Sequence, residues 1–131
     1  MDGQSDGSEN AGENEEPDDP DNAVILGEKY PVDATTELIL NSKGLTDKDV
    51  VQIGKLVNLT ELQIENNNIT DISPLANLTA LNELSIPYNK VSDVSVLEKL
   101  PAIKSLDIDH NDISDEDIEK LKEQLPDCYF K

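Results

Sequence analysis

Tryptophan is absent from the chain, and cysteine, methionine, phenylalanine and histidine occur once each in 131 residues. A single cysteine, Cys128, excludes an internal disulfide, and its Asp-Cys-Tyr-Phe setting predicts a strand position with a buried thiol. A single histidine, His110, has no cysteine or second histidine with which to build a zinc site or a nucleophile triad. Cations are scarce as well, with 10 basic side chains against 29 acidic ones and a net charge of −19. Nucleic acid and anionic membrane surfaces demand clustered Lys and Arg, so neither is an expected partner. No apolar run approaches the roughly 18 residues that span a bilayer, so membrane insertion by this chain is not expected. The start also lacks the basic stretch and apolar core of a signal peptide. That absence suits two origins: a cytosolic protein, or an exported one whose signal and anchor lie outside this chain.

The charge is unevenly spread. Residues 1–23 hold nine acids, no base, and nothing more apolar than Ala11 after Met1. Such a segment cannot bury enough surface to offset the entropy of ordering, so 1–23 reads as a disordered acidic linker. The folded domain is then expected over 24–131.

Within that domain the informative feature is a period. Leu59, Leu62, Ile64, Asn67, Ile69, Ile72, Leu75 and Leu78 return 22 residues later as Leu81, Leu84, Ile86, Asn89, Val91, Val94, Leu97 and Leu100. A further 22 gives Ile103, Leu106, Ile108, Asn111 and Ile113, and Cys128 and Phe130 again follow Leu106 and Ile108 by 22. Upstream, Leu38, Leu40 and Leu45 precede Leu62, Ile64 and Ile69 by 24, a turn with a two-residue insertion. Self-similarity at this spacing means a stack of like turns.

Alternation at Leu62-Gln63-Ile64 sends the aliphatic residues inward and Gln63 outward. Strands at 62–64, 84–86 and 106–108, with 38–40 and 128–130, should therefore pair in parallel. After each strand the chain must bend. Asn67, Asn89 and Asn111 can turn inward there and bond backbone groups that would otherwise lose about 1–3 kcal/mol each. Ser73-Pro74 suits a short helical turn, with Ser as its cap and Pro at its first position.

Leu-Thr-Glu-Leu-Gln-Ile-Glu-Asn-Asn-Asn-Ile-Thr-Asp-Ile-Ser-Pro-Leu over 59–75 resembles the 22-residue leucine-rich repeat of the internalin type. The resemblance extends over roughly 34–130 and implies an α/β repeat solenoid: a short right-handed coil with a parallel sheet on its concave face. It also implies a bacterial surface protein or lipoprotein that binds a ligand without catalysis. The motif is specific for fold and nearly silent on ligand. Two turns depart from the pattern. Lys43 stands at the first ladder position, and Asp115–Leu125 replaces the Asp-Ile-Ser-Pro-Leu stretch. Both departures read as end caps, which a solenoid needs. Thr46–Asp49 and Ser114–Asp117 each place a hydroxyl three residues before an acid, ahead of apolar residues at helical spacing. Pro126 stops the second helix. Val24-Ile25-Leu26 and Lys29–Val32, around Gly27-Glu28, predict a hairpin over the first coil. The domain is therefore expected to be closed at both ends.

Three constellations bear on chemistry. Asp107, Asp109, Asn111, Asp112, Asp115 and Asp117 suggest a calcium loop, but the EF-hand spacing wants Gly and an acid where Asp112 and Ile118 stand. No metal or cofactor is expected. No catalytic residue is expected either, since paired acids need a pocket to shift a pKa. The third is the outward row of the sheet: Glu61, Gln63, Glu65, Glu83, Ser85, Pro87, Tyr88, Ser105, Asp107, Asp109 and His110, closing with Asp127 and Tyr129. In leucine-rich repeats this face binds proteins or peptides. Its acidity favours a basic or neutral protein, peptide or glycan, with Tyr88 and Tyr129 as aromatic anchors. The same row also fits an ordinary solvated face, and the chain is expected to be a monomer. The resemblance implies a binding module of an exported, surface-tethered bacterial protein. The alternatives are a cytosolic regulatory interaction subunit and a spacer without a ligand.

Overall fold

The computed structural model describes residues 18–131. An antiparallel hairpin of β1 (Asn22–Ile25) and β2 (Glu28–Pro31) precedes a five-stranded parallel sheet. The sheet runs in chain order through β3 (Glu37–Ile39), β4 (Glu61–Gln63), β5 (Glu83–Ser85), β6 (Ser105–Asp107) and β7 (Tyr129–Phe130). The four connections carry α1 (Asp47–Ile53), the 3-10 turns η1 (Ser73–Asn77) and η2 (Ser95–Lys99), and α2 (Asp115–Gln124). The expected α/β solenoid is therefore the observed one. The strands β3 to β6 begin one residue earlier than the alternation indicated and β7 one residue later, yet the ladder runs on, with Ile64 N–H reaching Ser85 O at 2.9 Å.

The inward residues form columns. Leu59, Leu62, Ile64, Ile69, Ile72, Leu75 and Leu78 are all fully buried, and their successors repeat the pattern one coil along. Burial slackens toward the two ends, where Leu40 is half-buried and Ile103 and Ile108 are 8% and 6% exposed. Among the residues of α2, only Leu121 is fully buried.

Coil length follows the connection. The coils through η1 and η2 advance by 22 residues in register (Leu62 to Leu84 to Leu106), whereas those through α1 and α2 advance by 24 (Leu38 to Leu62, Leu106 to Phe130). A seven-residue α-helix such as α1 rises about 10.5 Å, and a five-residue 3-10 turn such as η1 about 10 Å. In the coil through α1 the two extra residues therefore exchange one helix type for the other across the same span. The last coil corrects the 22-residue extrapolation: Phe130, not Cys128, lies beside Leu106. Cys128 precedes β7 and is only half-buried, with its thiol pushed up by burial.

The caps form as the capping residues direct. Asp49 accepts the Thr46 N–H at 2.9 Å, and Ser114 Oγ accepts the Asp117 N–H at 3.1 Å. Ser73 is not the cap of η1 but its first residue; Asp71 Oδ1 accepts its N–H at 2.9 Å, and Asp93 does the same for Ser95. The hairpin turn is Leu26-Gly27, not Gly27-Glu28, and both residues have positive φ (52° and 82°). Val24 N–H donates to Gln52 Oε1 at 2.9 Å, tying this hairpin to α1. Of the linker expected over 1–23, residues 1–17 lie outside the described residues. Asp18–Ala23 pack on the domain: Ala23 is fully buried in β1, and Lys55 Nζ reaches the Asp19 carbonyl at 2.6 Å and Asp18 Oδ1 at 3.3 Å. The boundary drawn at 23 therefore falls too late, because acidic composition hid the few backbone and lysine contacts that hold this stretch.

Candidate binding face

The strand register fixes the outward face as three parallel columns. Glu37, Glu61, Glu83, Ser105 and Tyr129 form the first. Ile39, Gln63, Ser85 and Asp107 form the second. A third follows just past the strands, where Asn41 Oδ1 accepts the Glu65 N–H at 2.9 Å and the coils continue to Pro87 and Asp109. A shallow depression of about 240 Å³ opens between them, lined by Glu61, Gln63, Glu65, Glu83, Asp107 and Lys131 among others. Four carboxylates around one depression give it a negative potential that neighbouring strands, spaced about 4.8 Å apart, reinforce. Glu37 reports that potential. A hydrogen bond with the Glu61 side chain, then the like charge of Glu61, hold its carboxyl above the usual range.

Behind this face the ladder asparagines set the bend. Asn89 Nδ2 donates to Ile64 O (3.0 Å), Ile86 O (3.1 Å) and Pro87 O (3.4 Å), while its Oδ1 accepts Ile69 N–H at 3.1 Å. Asn67 and Asn111 make the same kind of bonds, and Asn67 Oδ1 accepts the N–H of Lys43 and Leu45 in the first coil. Asn67 and Asn89 are 7% and 6% exposed, so these amides replace water for backbone groups that cannot reach it.

The bend also needs one residue per coil in the left-handed region. Ser42 (φ 55°), Asn66 (55°), Tyr88 (61°) and His110 (55°) occupy it. Tyr88 and His110 therefore lie beyond the strands, at the rim, not in the strand row as the sequence suggested. Asn66 Nδ2 bonds Ser42 Oγ at 2.9 Å, and the rings of Tyr88 and His110 stack with centroids 4.3 Å apart and planes 8° from parallel. The pairing follows from the coil spacing, which sets two flat rings at close to stacking distance.

Other expected members fall elsewhere. Tyr129 is on the face and 65% exposed. Asp127 precedes β7 and leaves the row, because the last coil advances by 24. That same advance brings Lys131 beside Asp107, a cation the 22-residue extrapolation could not place. Asp115 and Asp117 sit in the first turn of α2, apart from the outward Asp107.

Comparison with known proteins places the chain by its repeats. A leucine-rich-repeat family model matches residues 58–113. Among solved structures, a leucine-rich-repeat protein of Leptospira interrogans shares 27% identity at TM-score 0.65, covering 78% of this chain and 28% of its own. An internalin of Listeria monocytogenes shares 23% at TM-score 0.58, covering 79% of this chain and 37% of its own. An internalin C2 from the same organism shares 42% at TM-score 0.44, covering 50% of this chain and 29% of its own. No curated protein sequence matches. The fold is that of a leucine-rich-repeat solenoid. This chain spans less than two-fifths of the length of each of those solved proteins.

Proposed function

We propose that this solenoid is a non-enzymatic protein-binding module whose outward sheet face takes a basic or neutral partner. The observation that carries the reading is the concurrence of the acidic depression on the sheet face and the exposed ring pair just past the strand ends. Carboxylates around the depression steer a partner of opposite charge, and the exposed ring pair adds apolar and aromatic contact area beside them. Repeat solenoids use their sheet face this way. A face of five short strands is small, so the expected affinity is modest.

We further propose that the module belongs to an exported, surface-tethered bacterial protein. The internalin-like repeat class and the Gly/Ser/Glu-rich composition of the first residues support this. Shaving intact cells with protease should remove the protein if it is surface-held; protection until lysis would favour the cytosolic alternative.

The binding reading is tested by affinity capture with the unaltered chain and with Glu65→Lys/Asp109→Lys. Partners retained by the first and lost by the second are expected. Identical captures by both would contradict the reading.

A further inference from the structure

We infer that the stacked Tyr88–His110 pair is a platform for the planar guanidinium group of a partner's arginine. This deepens the reading of the sheet face as a surface for a basic protein and rests on it. Tyr88 is 55% exposed, and His110 is exposed beside it, so ring surface is presented at the rim. The rings are held parallel at 4.3 Å, so little rotamer freedom remains to be lost when a third planar group packs on them. Both sit at positive φ, where Asn or Gly would fit with less strain and where this chain carries aromatic rings instead.

Charge selects what the platform takes. Glu65 precedes Asn66 in the same rim column, and Asp109 precedes His110, its carbonyl accepting the Tyr88 N–H at 3.1 Å. Among the described residues the ion pairs are Lys29–Asp19 and Lys55–Asp18, so the carboxylates of Glu65 and Asp109 have no cationic partner. A guanidinium stacks on a ring face and can also fork onto a carboxylate, whereas an ammonium is a compact, strongly hydrated charge that does neither as well. The chain contains no arginine of its own, so nothing internal can supply the group. A second copy is excluded as occupant by the net charge of −19.

The experiment is a nuclear magnetic resonance titration of the full chain with three acetylated, amidated glycine peptides. One carries three arginines, one three lysines and one three glutamines, all at fixed ionic strength. The arginine peptide should move the Tyr88 and His110 ring resonances and bind about fivefold tighter than the lysine peptide. Tyr88→Asn, which suits the left-handed backbone and so keeps the fold, should abolish that preference by weakening the arginine peptide more than the lysine peptide. His110→Ala should reduce it. Equal affinities with unmoved rings would overturn the platform, and the acidic face would still stand if Glu65→Lys/Asp109→Lys weakened both basic peptides. Affinity of the glutamine peptide equal to that of the arginine peptide would overturn the platform, and the sheet face would then be one for a neutral partner.

Discussion

Tyr88 and His110 stack across successive coils with planes only 8° apart, each at a backbone angle that aromatic residues rarely adopt. A left-handed residue with a Cβ loses about 1–2 kcal/mol, and a stacked pair returns about 0.5–1.5 kcal/mol. At the single position Tyr88 the two effects nearly cancel, so its ring is close to neutral for the fold. Tyr88→Asn should therefore change unfolding stability by less than about 1 kcal/mol in either direction. A loss of several kcal/mol in urea titration would make the ring a structural element and not a recognition one.

Asn89 and Asn82 differ in what their amides touch. Asn89 is buried and bonds four backbone groups, while Asn82 is half-buried and serves the ladder through its main chain alone. Asn89→Ala should destabilise by about 2–3 kcal/mol, since it leaves buried groups unpaired, and Asn82→Ala by less than about 0.5 kcal/mol. Equal midpoints in denaturant would show that the ladder is not what holds the bend.

Gly54 lies at the end of α1 with ordinary helical φ, where propensity alone would favour alanine by about 1 kcal/mol. A Cβ there would come within 2.4 Å of the Pro74 carbonyl oxygen in η1. Backbone cannot yield as a side chain can, so overpacking wins, and Gly54→Ala should lose about 1–3 kcal/mol. A stabilised variant would mean that α1 and η1 are farther apart.

Two acids give opposite pH signatures. Burial alone would raise Asp47, but hydrogen bonds from the Thr70 hydroxyl, the Thr70 N–H and the Asp71 N–H outweigh it and hold its pKa below 3.8. A lowered folded pKa stabilises above the unfolded value, and that contribution is lost as pH falls through the folded one. Asp47→Asn should thus be less stable at pH 7 and lose part of the stability change seen below about pH 4. Glu37 is raised above 4.5 by Glu61, so its contribution is lost as pH rises through the folded value. Glu37→Gln should be as stable as the parent or more so at neutral pH. Stability against pH, measured by denaturant at a series of pH values, checks both signs.

The period made the solenoid legible, because one inward column per repeat position leaves its mark as an apolar residue every 22. Asn67, Asn89 and Asn111 were legible for the same reason. What escaped was whatever depends on coil length or backbone sign. Phe130 pairs with Leu106 because α2 lengthens the last coil, and sequence spacing from Cys128 gave the opposite assignment. The left-handed column of Ser42, Asn66, Tyr88 and His110 shares no side-chain chemistry, so no pattern announced it. Only once the bend was in place did Tyr88 and His110 become neighbours. The face was legible as acidic, but Lys131 and the raised Glu37 needed the register to appear.

On the proposed function, partners meet the outward face of the sheet. Hydroxyl-radical footprinting of the chain, free and bound to a captured partner, reads this directly from side chains that are exposed when free. Tyr88, His110 and Tyr129 should lose reactivity on binding, while Leu26, Val51 and Val57, exposed elsewhere, should keep theirs. Protection of Val51 and Val57 with Tyr88 and Tyr129 unchanged would move the interface to the helical side and contradict the claim.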